Sequence, residues 1–143
     1  NQPDKNDVID VLDKVGGFDI AAMCGAFLGF AATRRPVVID GFISAVAALC
    51  AYKLFPNSVQ YFIPSHASYE IGYKLAMDAM HLQPLLLLGM RLGEGSGCPL
   101  AFEVLSAACA ILNDMATFDQ AGIDDGYLDE IRKGDKFTVE GVK

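Results

Sequence analysis

Two short strand-like runs, the first wholly apolar, each halted by a polar turn and followed by a helical pattern, constrain this chain more than any other feature. The first is Val37-Val38-Ile39, opened by Pro36 and closed by Asp40-Gly41. The second lies within VQYFIPS, about Val59 to Ile63, and Pro64 stops it. Helical spacing follows each, over about Phe42 to Leu54 and Ser68 to Met80. A continuous apolar run suits a parallel strand covered on both faces. Strand, turn, helix, repeated, is the pattern of an open α/β sheet. Leu85 to Leu88 is expected as a third short strand. A glycine-studded loop, Gly89 to Gly97, then leads to a long helix from about Cys98 to Phe118. The expected class is α/β with a mostly parallel sheet.

Two helices precede this repeat. Asp7 is placed to cap DVIDVLDKV, whose Val8, Ile9, Leu12 and Val15 share one face, and Gly16-Gly17 ends it. A second helix, about Phe18 to Thr33, is rich in Ala and Gly and apolar nearly all round. Small residues three and four apart admit a close neighbour, so this helix is expected to be buried on most sides.

The 143 residues fit one domain, and 52% hydrophobic content excludes a disordered polar chain. A formal net charge of -7 argues against binding a nucleic-acid backbone or an anionic membrane surface. The charges are unevenly spread. Of 18 acids, 11 lie in residues 1–14 and 119–143, while residues 15–118 hold only seven acids and five bases. So apolar a middle must be buried in its own core or against another surface. The longest charge-free apolar stretch, Ile20 to Ala32, is short for a bilayer, which needs about 18 residues or more. No leader peptide is visible, and a cytoplasmic location is expected. The polar opening, without an initial Met, is expected to be a linker remnant over 1–6. Residues 7–123 are expected to form the domain and 124–143 an acidic tail, holding a weak helix and then a frayed or edge segment. Cys24, Cys50, Cys98 and Cys109 lack the close spacing of a zinc or redox motif and are expected to be small buried hydrophobes. No metal site and no cofactor are expected.

Ligands of open α/β sheets bind beyond the carboxyl ends of the strands. Three segments fall there: Asp40-Gly41-Phe42, Ser65-His66-Ala67-Ser68, and Arg91 to Gly97. In Met90-Arg91-Leu92-Gly93-Glu94-Gly95-Ser96-Gly97, a carboxylate stands between glycines that permit unusual backbone angles. Glu94 is a candidate general base; a glycine-rich turn with a solvated Glu is the alternative. His66 is expected either to bond a loop carbonyl or to touch a ligand. Asp40 is expected to cap the helix that follows it, at a place where a ribose hydroxyl could also bind. Ser65 and Ser68 are expected to cap a helix, and His81 to end one.

KVGGFDIAAMCGAFLG, PVVIDGFISAVAAL, IPSHASYEIG and above all MRLGEGSG resemble, in that order, the C-terminal half of the nicotinate-nucleotide:dimethylbenzimidazole phosphoribosyltransferase family. The resemblance runs from about Asp7 to Ile123. It implies a Rossmann-like three-layer domain, a homodimer, and transfer of phosphoribose from nicotinate mononucleotide to 5,6-dimethylbenzimidazole, giving α-ribazole 5′-phosphate and nicotinate. It implies Glu94 as the base, Leu92 against the acceptor base, and Ser68 and Gly41 near the ribose phosphate. Gly93, Gly95, Asp40 and His66 join them as expected substrate-binding residues. Tyr69 departs from the small residue common there. Because the family's chain is more than twice as long, the segment is expected to be a fragment, inactive alone. The alternatives are a folding and dimerisation module or a relative with a different base.

Overall fold

The computed structural model describes residues 1–124 together with Gly126 and Asp129; the helix and edge segment expected past Ile123 lie almost wholly outside them. The chain divides into two compact units after Leu105.

The first unit opens with α1, Val8–Val15, where the Asp7 carboxylate accepts from the Ile9 and Asp10 amides as the sequence anticipates. Then come α2 (Phe18–Ala32), β1 (Val37–Ile39), α3 (Phe42–Leu54), a 3-10 helix (Pro56–Tyr61), β2 (Phe62–Pro64), α4 (Ile71–Met80) and the start of α5 (Gly97–Asp114). Strands β1 and β2 pair in parallel, Val37 opposite Phe62 and Ile39 opposite Pro64. α3 is the crossover between them, and α2 and α4 both pack on it. Its Ala45, Ala47, Ala48 and Ala51 are fully buried, because only small side chains let the helices come this close. Ile39, Phe62, Phe27, Met77 and Met80 fill the space around them. The Phe27 and Phe62 rings meet edge to face at 5.1 Å. Burying a side chain such as Ile39 contributes about 1.5–3 kcal/mol.

Several expected boundaries move. Residues 59–61, expected as strand, belong to the 3-10 helix. Pro56 supplies the fixed backbone angle that opens a helical turn, and the Ser58 amide donates to the Phe55 carbonyl. The strand therefore begins only at Phe62. α4 starts at Ile71 rather than Ser68, because Ser65 to Ala67 continue the sheet edge. The Ser65 amide donates to Ile39, and the Leu86 and Ala67 amides bond across to Ser65 and Leu86. The expected third strand is thus a single parallel bridge, Leu86 with His66. α2 buries only Cys24, Phe27 and Ala31. Phe18 is 97% exposed, and among the described residues nothing lies within 4 Å of where a side chain on Gly25 or Gly29 would begin. The expectation of burial on most sides fails because α2 packs on one side only. His81 does end α4, in the left-handed conformation. Cys24 is buried, Cys50 and Cys98 are half-buried and Cys109 is exposed, so burial holds fully for one cysteine.

The second unit, from Ser106, holds the remainder of α5 and α6, Phe118–Ala121. α5 stops at Asp114, not Phe118, since Thr117 and Gln120 form a reciprocal cap that starts α6. Among the described residues α5 is the one helix long and apolar enough to cross a membrane by length and composition. A search for charge-free runs misses it, because Glu103 and Asp114 lie within it.

Candidate active site

Three segments, distant in sequence, meet where β1 and β2 end. β1 delivers Asp40, β2 delivers Ser65 and His66, and the turn before α5 delivers Gly93 to Gly97. Their meeting point is buried and polar. One Asp40 carboxylate oxygen accepts from the Gly95 amide at 2.9 Å, and the other from the Gly97 amide at 2.8 Å. The Asp40 backbone amide donates to the Ser44 hydroxyl, which in turn donates to the Gly41 carbonyl. His66, 1% exposed, sets its Nδ1 3.0 Å from the Ser65 hydroxyl and 3.6 Å from Asp40. A side chain on Gly97 would run into the His66 ring, Ser65 Oγ and Asp40 Oδ1.

Above this floor the loop bends sharply. Gly93, Glu94 and Gly95 all have positive φ, at 72°, 56° and 76°. Glycine takes such angles freely; a glutamate there stores roughly 1–2 kcal/mol of backbone strain. The result is an exposed Glu94 side chain at the edge of a cleft of about 430 Å³. Gly41, Phe42, Ile43 and Ser44, the start of α3, form another wall. No side chain caps that helix, and its first amides carry the positive end of the helix dipole.

Of the expected residues, Asp40, Gly41, Leu92, Gly93, Glu94 and Gly95 line this cleft. His66 lies in the floor beneath the loop, closed off from solvent, with the Ser65 hydroxyl rather than a loop carbonyl as its partner. Ser68 stands aside, its hydroxyl donating to Glu70 Oε2. Neither Ser65 nor Ser68 caps α4, whose first residue follows Glu70. Asp40 does not cap α3; it reaches across to the amides that open α5 instead, because those carry the unpaired N–H groups nearest its carboxylate. Sequence reasoning missed Met23 from α2 and the part played by Arg91. The Arg91 guanidinium lies 4.6 Å from the Tyr69 ring centroid and has no ion-pair partner among the described residues. Among those residues it is also the one cation lining a cleft that holds Asp40, Glu70 and Glu94. Tyr73, buried next to the floor, has its phenol pushed up to about 12, first by burial and second by the Asp40 charge. Burial and then Asp40 also push the Cys98 thiol up. Among the described residues no three His, Cys, Asp or Glu side chains are placed to hold a metal ion.

A family model described as phosphoribosyltransferase matches residues 1–123. The chain belongs to that family. It is 53% identical over 134 residues to the nicotinate-nucleotide–dimethylbenzimidazole phosphoribosyltransferase of Clostridium perfringens, covering 94% of this chain and 37% of that protein. It is 58% identical over 124 residues to the protein of the same name in Ruminiclostridium cellulolyticum, covering 87% and 35%. A crystal structure of the nicotinate-nucleotide–dimethylbenzimidazole phosphoribosyltransferase from Thermus thermophilus superposes with a TM-score of 0.80 at 37% identity, over 88% of this chain and 38% of that one. The chain thus spans little more than a third of these relatives. At this likeness the small parallel sheet and its helices are a Rossmann-like α/β fold. The glycine loop, the DGF turn and the SHAS segment, separate in sequence, are the three parts that this fold brings to one sheet edge.

Proposed function

We propose that this phosphoribosyltransferase segment carries the reactive edge of an enzyme that moves phosphoribose from nicotinate mononucleotide to 5,6-dimethylbenzimidazole. The observation that carries the proposal is Glu94, an exposed carboxylate held on a left-handed loop at the cleft rim. One ring nitrogen of the benzimidazole attacks C1′ of the ribose. The bond from C1′ to the pyridinium nitrogen breaks, and its electron pair stays on nicotinate. The second ring nitrogen becomes acidic as the first is alkylated, and Glu94 takes its proton. Attack from the face opposite nicotinate inverts the anomeric centre. No metal or cofactor is part of this scheme, since the leaving group departs from a cationic pyridinium.

The surroundings support these roles. Leu92, 73% exposed, offers apolar surface for the acceptor ring. Gly41 and the uncapped first turn of α3 face the cleft, where backbone N–H groups suit a phosphate. Ser68 is assigned to the same phosphate. Arg91 supplies the positive charge that an anionic nucleotide needs beside three carboxylates. Gly93 and Gly95 let the backbone come close to the substrate, and His66 acts from below the loop. Homodimerisation is proposed from the exposed apolar residues of α2 and α5, among them Phe18, Phe30, Ile111 and Leu112. A cytoplasmic enzyme without nucleic-acid or membrane partners fits the acidic charge, and the polar floor that receives the first residue of α5 fits a protein environment better than lipid. We place the domain at 7–123, the lead-in at 1–6 and the tail at 124–143.

The test is turnover of nicotinate mononucleotide and dimethylbenzimidazole by the full-length protein that contains this segment, by its Glu94→Gln variant, and by the 143 residues alone. An active parent, a collapsed variant and a silent segment are expected. A variant that keeps most of the activity would overturn the assignment of Glu94 as base. Replacing the acceptor with a purine or a phenol tests the choice of base in the same assay.

A further inference from the structure

We propose that Asp40 is a positioning residue whose carboxylate sets the conformation of the Glu94 loop, rather than a ligand of the substrate ribose. The proposal rests on the reading of Glu94 as proton acceptor. Three geometric facts carry it. First, both carboxylate oxygens are occupied, one by the Gly95 amide and one by the Gly97 amide, at 2.9 and 2.8 Å. These amides are the first and third after Glu94, so a single rigid group grips the loop directly downstream of the reactive side chain. Second, the loop has little else to keep it left-handed over three successive residues. Its own turn bonds are Ser96 amide to Gly93 carbonyl and Cys98 amide to Gly95 carbonyl. Left-handed angles at a non-glycine residue persist only where surrounding structure over-determines them. Third, Asp40 is itself held at its main chain and faced by His66 at its carboxylate. Its backbone amide is held by Ser44, and His66 Nδ1 stands 3.6 Å behind Oδ1 with Ser65 beside it. Gly97 completes the fit, because any side chain there would strike Asp40, Ser65 and His66.

Asp40 thus transmits the rigidity of β1 to the loop, and its influence on turnover passes through Glu94. A charged acceptor for two amides is the strong form of this contact. An amide in its place offers one oxygen, and turns an N–H group toward the second backbone N–H.

The experiment uses the full-length protein, with Asp40→Asn, Glu94→Gln and the double variant assayed for kcat and KM. Asp40→Asn is expected to lower kcat more than tenfold while KM for the nucleotide moves less than threefold. In the Glu94→Gln background the same change is expected to cost less than twofold, because residues acting as one unit are not additive. Glycine-selective 15N labelling supplies the second measurement. In the unaltered protein the Gly95 and Gly97 amides are expected to exchange at least tenfold more slowly than Gly93, and in Asp40→Asn their protons shift upfield. A rise in nucleotide KM at constant kcat would make Asp40 a substrate ligand and overturn the proposal. Equal losses from Asp40→Asn with and without Glu94 would reduce it to a generic structural residue, and overturn it too. Should Asp40→Asn fail to fold, unprotected Gly95 and Gly97 amides in the unaltered protein would still refute it, and protected ones would support it. Should Glu94→Gln alone stay active, the base assignment falls and the catalytic half of this proposal with it, while the glycine signals decide separately whether Asp40 holds the loop.

Discussion

The floor and the rim of the cleft lie against each other, and the glycine loop contributes to both, yet they obey opposite rules. In the floor, Asp40, Ser65, His66 and Gly97 are buried and bound to one another. Their positions are over-determined, and there is no room for one more carbon atom on Gly97. At the rim, Glu94, Leu92, Arg91 and Tyr69 are exposed, and apart from the stacking of Arg91 on Tyr69 they make few contacts. Backbone strain sits at the rim, and the floor holds the loop that carries it. Changes in the floor should therefore act on folding first, Asp40 excepted because it also grips the Glu94 loop, and changes at the rim on turnover first.

Glu94→Gln gives the largest expected effect. It should lower kcat roughly 10²–10⁴-fold, the usual worth of a positioned proton acceptor, with the melting temperature unchanged. Turnover and calorimetry on the same samples read both; a lowered melting temperature would blur the distinction between floor and rim. Gly97→Ala tests the other side. Overpacking of this kind costs about 1–3 kcal/mol, so a denaturant midpoint should fall, and a normal midpoint would mean that the floor yields.

Tyr73 sharpens the comparison through pH. Its pKa is raised from 10.0 to about 12 in the folded chain. The folded state keeps the phenol neutral, so the stability that follows is whole below the unfolded value near 10 and is lost as pH rises toward about 12. Tyr73→Phe should remove that alkaline loss. It also deletes a buried hydroxyl with no hydrogen-bond partner among the described residues, so stability at neutral pH should stay level or rise by about 1 kcal/mol. The smallest effect lies outside the site. Lys14 first, and the Asp4 amide second, hold the Asp10 carboxyl below 3.8. Its contribution is present above that value and is lost as pH falls through the lowered one. Asp10→Asn should flatten the acid limb of an unfolding curve only slightly, because the pair is at the surface.

The same contrast explains what could be read in advance. The Asp7 cap, the Gly16 stop and β1 were legible because each rests on residues within one turn of each other. Residues 59–61 were not, since Val, Gln and Tyr suit a strand as well as a 3-10 turn, and only Pro56 upstream decides between them. α2 shows a second limit. Its alanines and glycines permit close packing but do not provide a neighbour, whereas the alanines of α3 have α2 and α4 on either side.

The order of residues was enough for the parallel α/β class, the three segments at the strand ends, and Glu94 as the residue to watch, because these depend on local spacing and on glycines that bend the chain. That Asp40 serves the Glu94 loop and not the helix after it emerged from the folded chain alone. That bond joins residues 55 and 57 positions apart. A carboxylate takes the nearest unpaired amides in space, and nearness in space is a property of the fold.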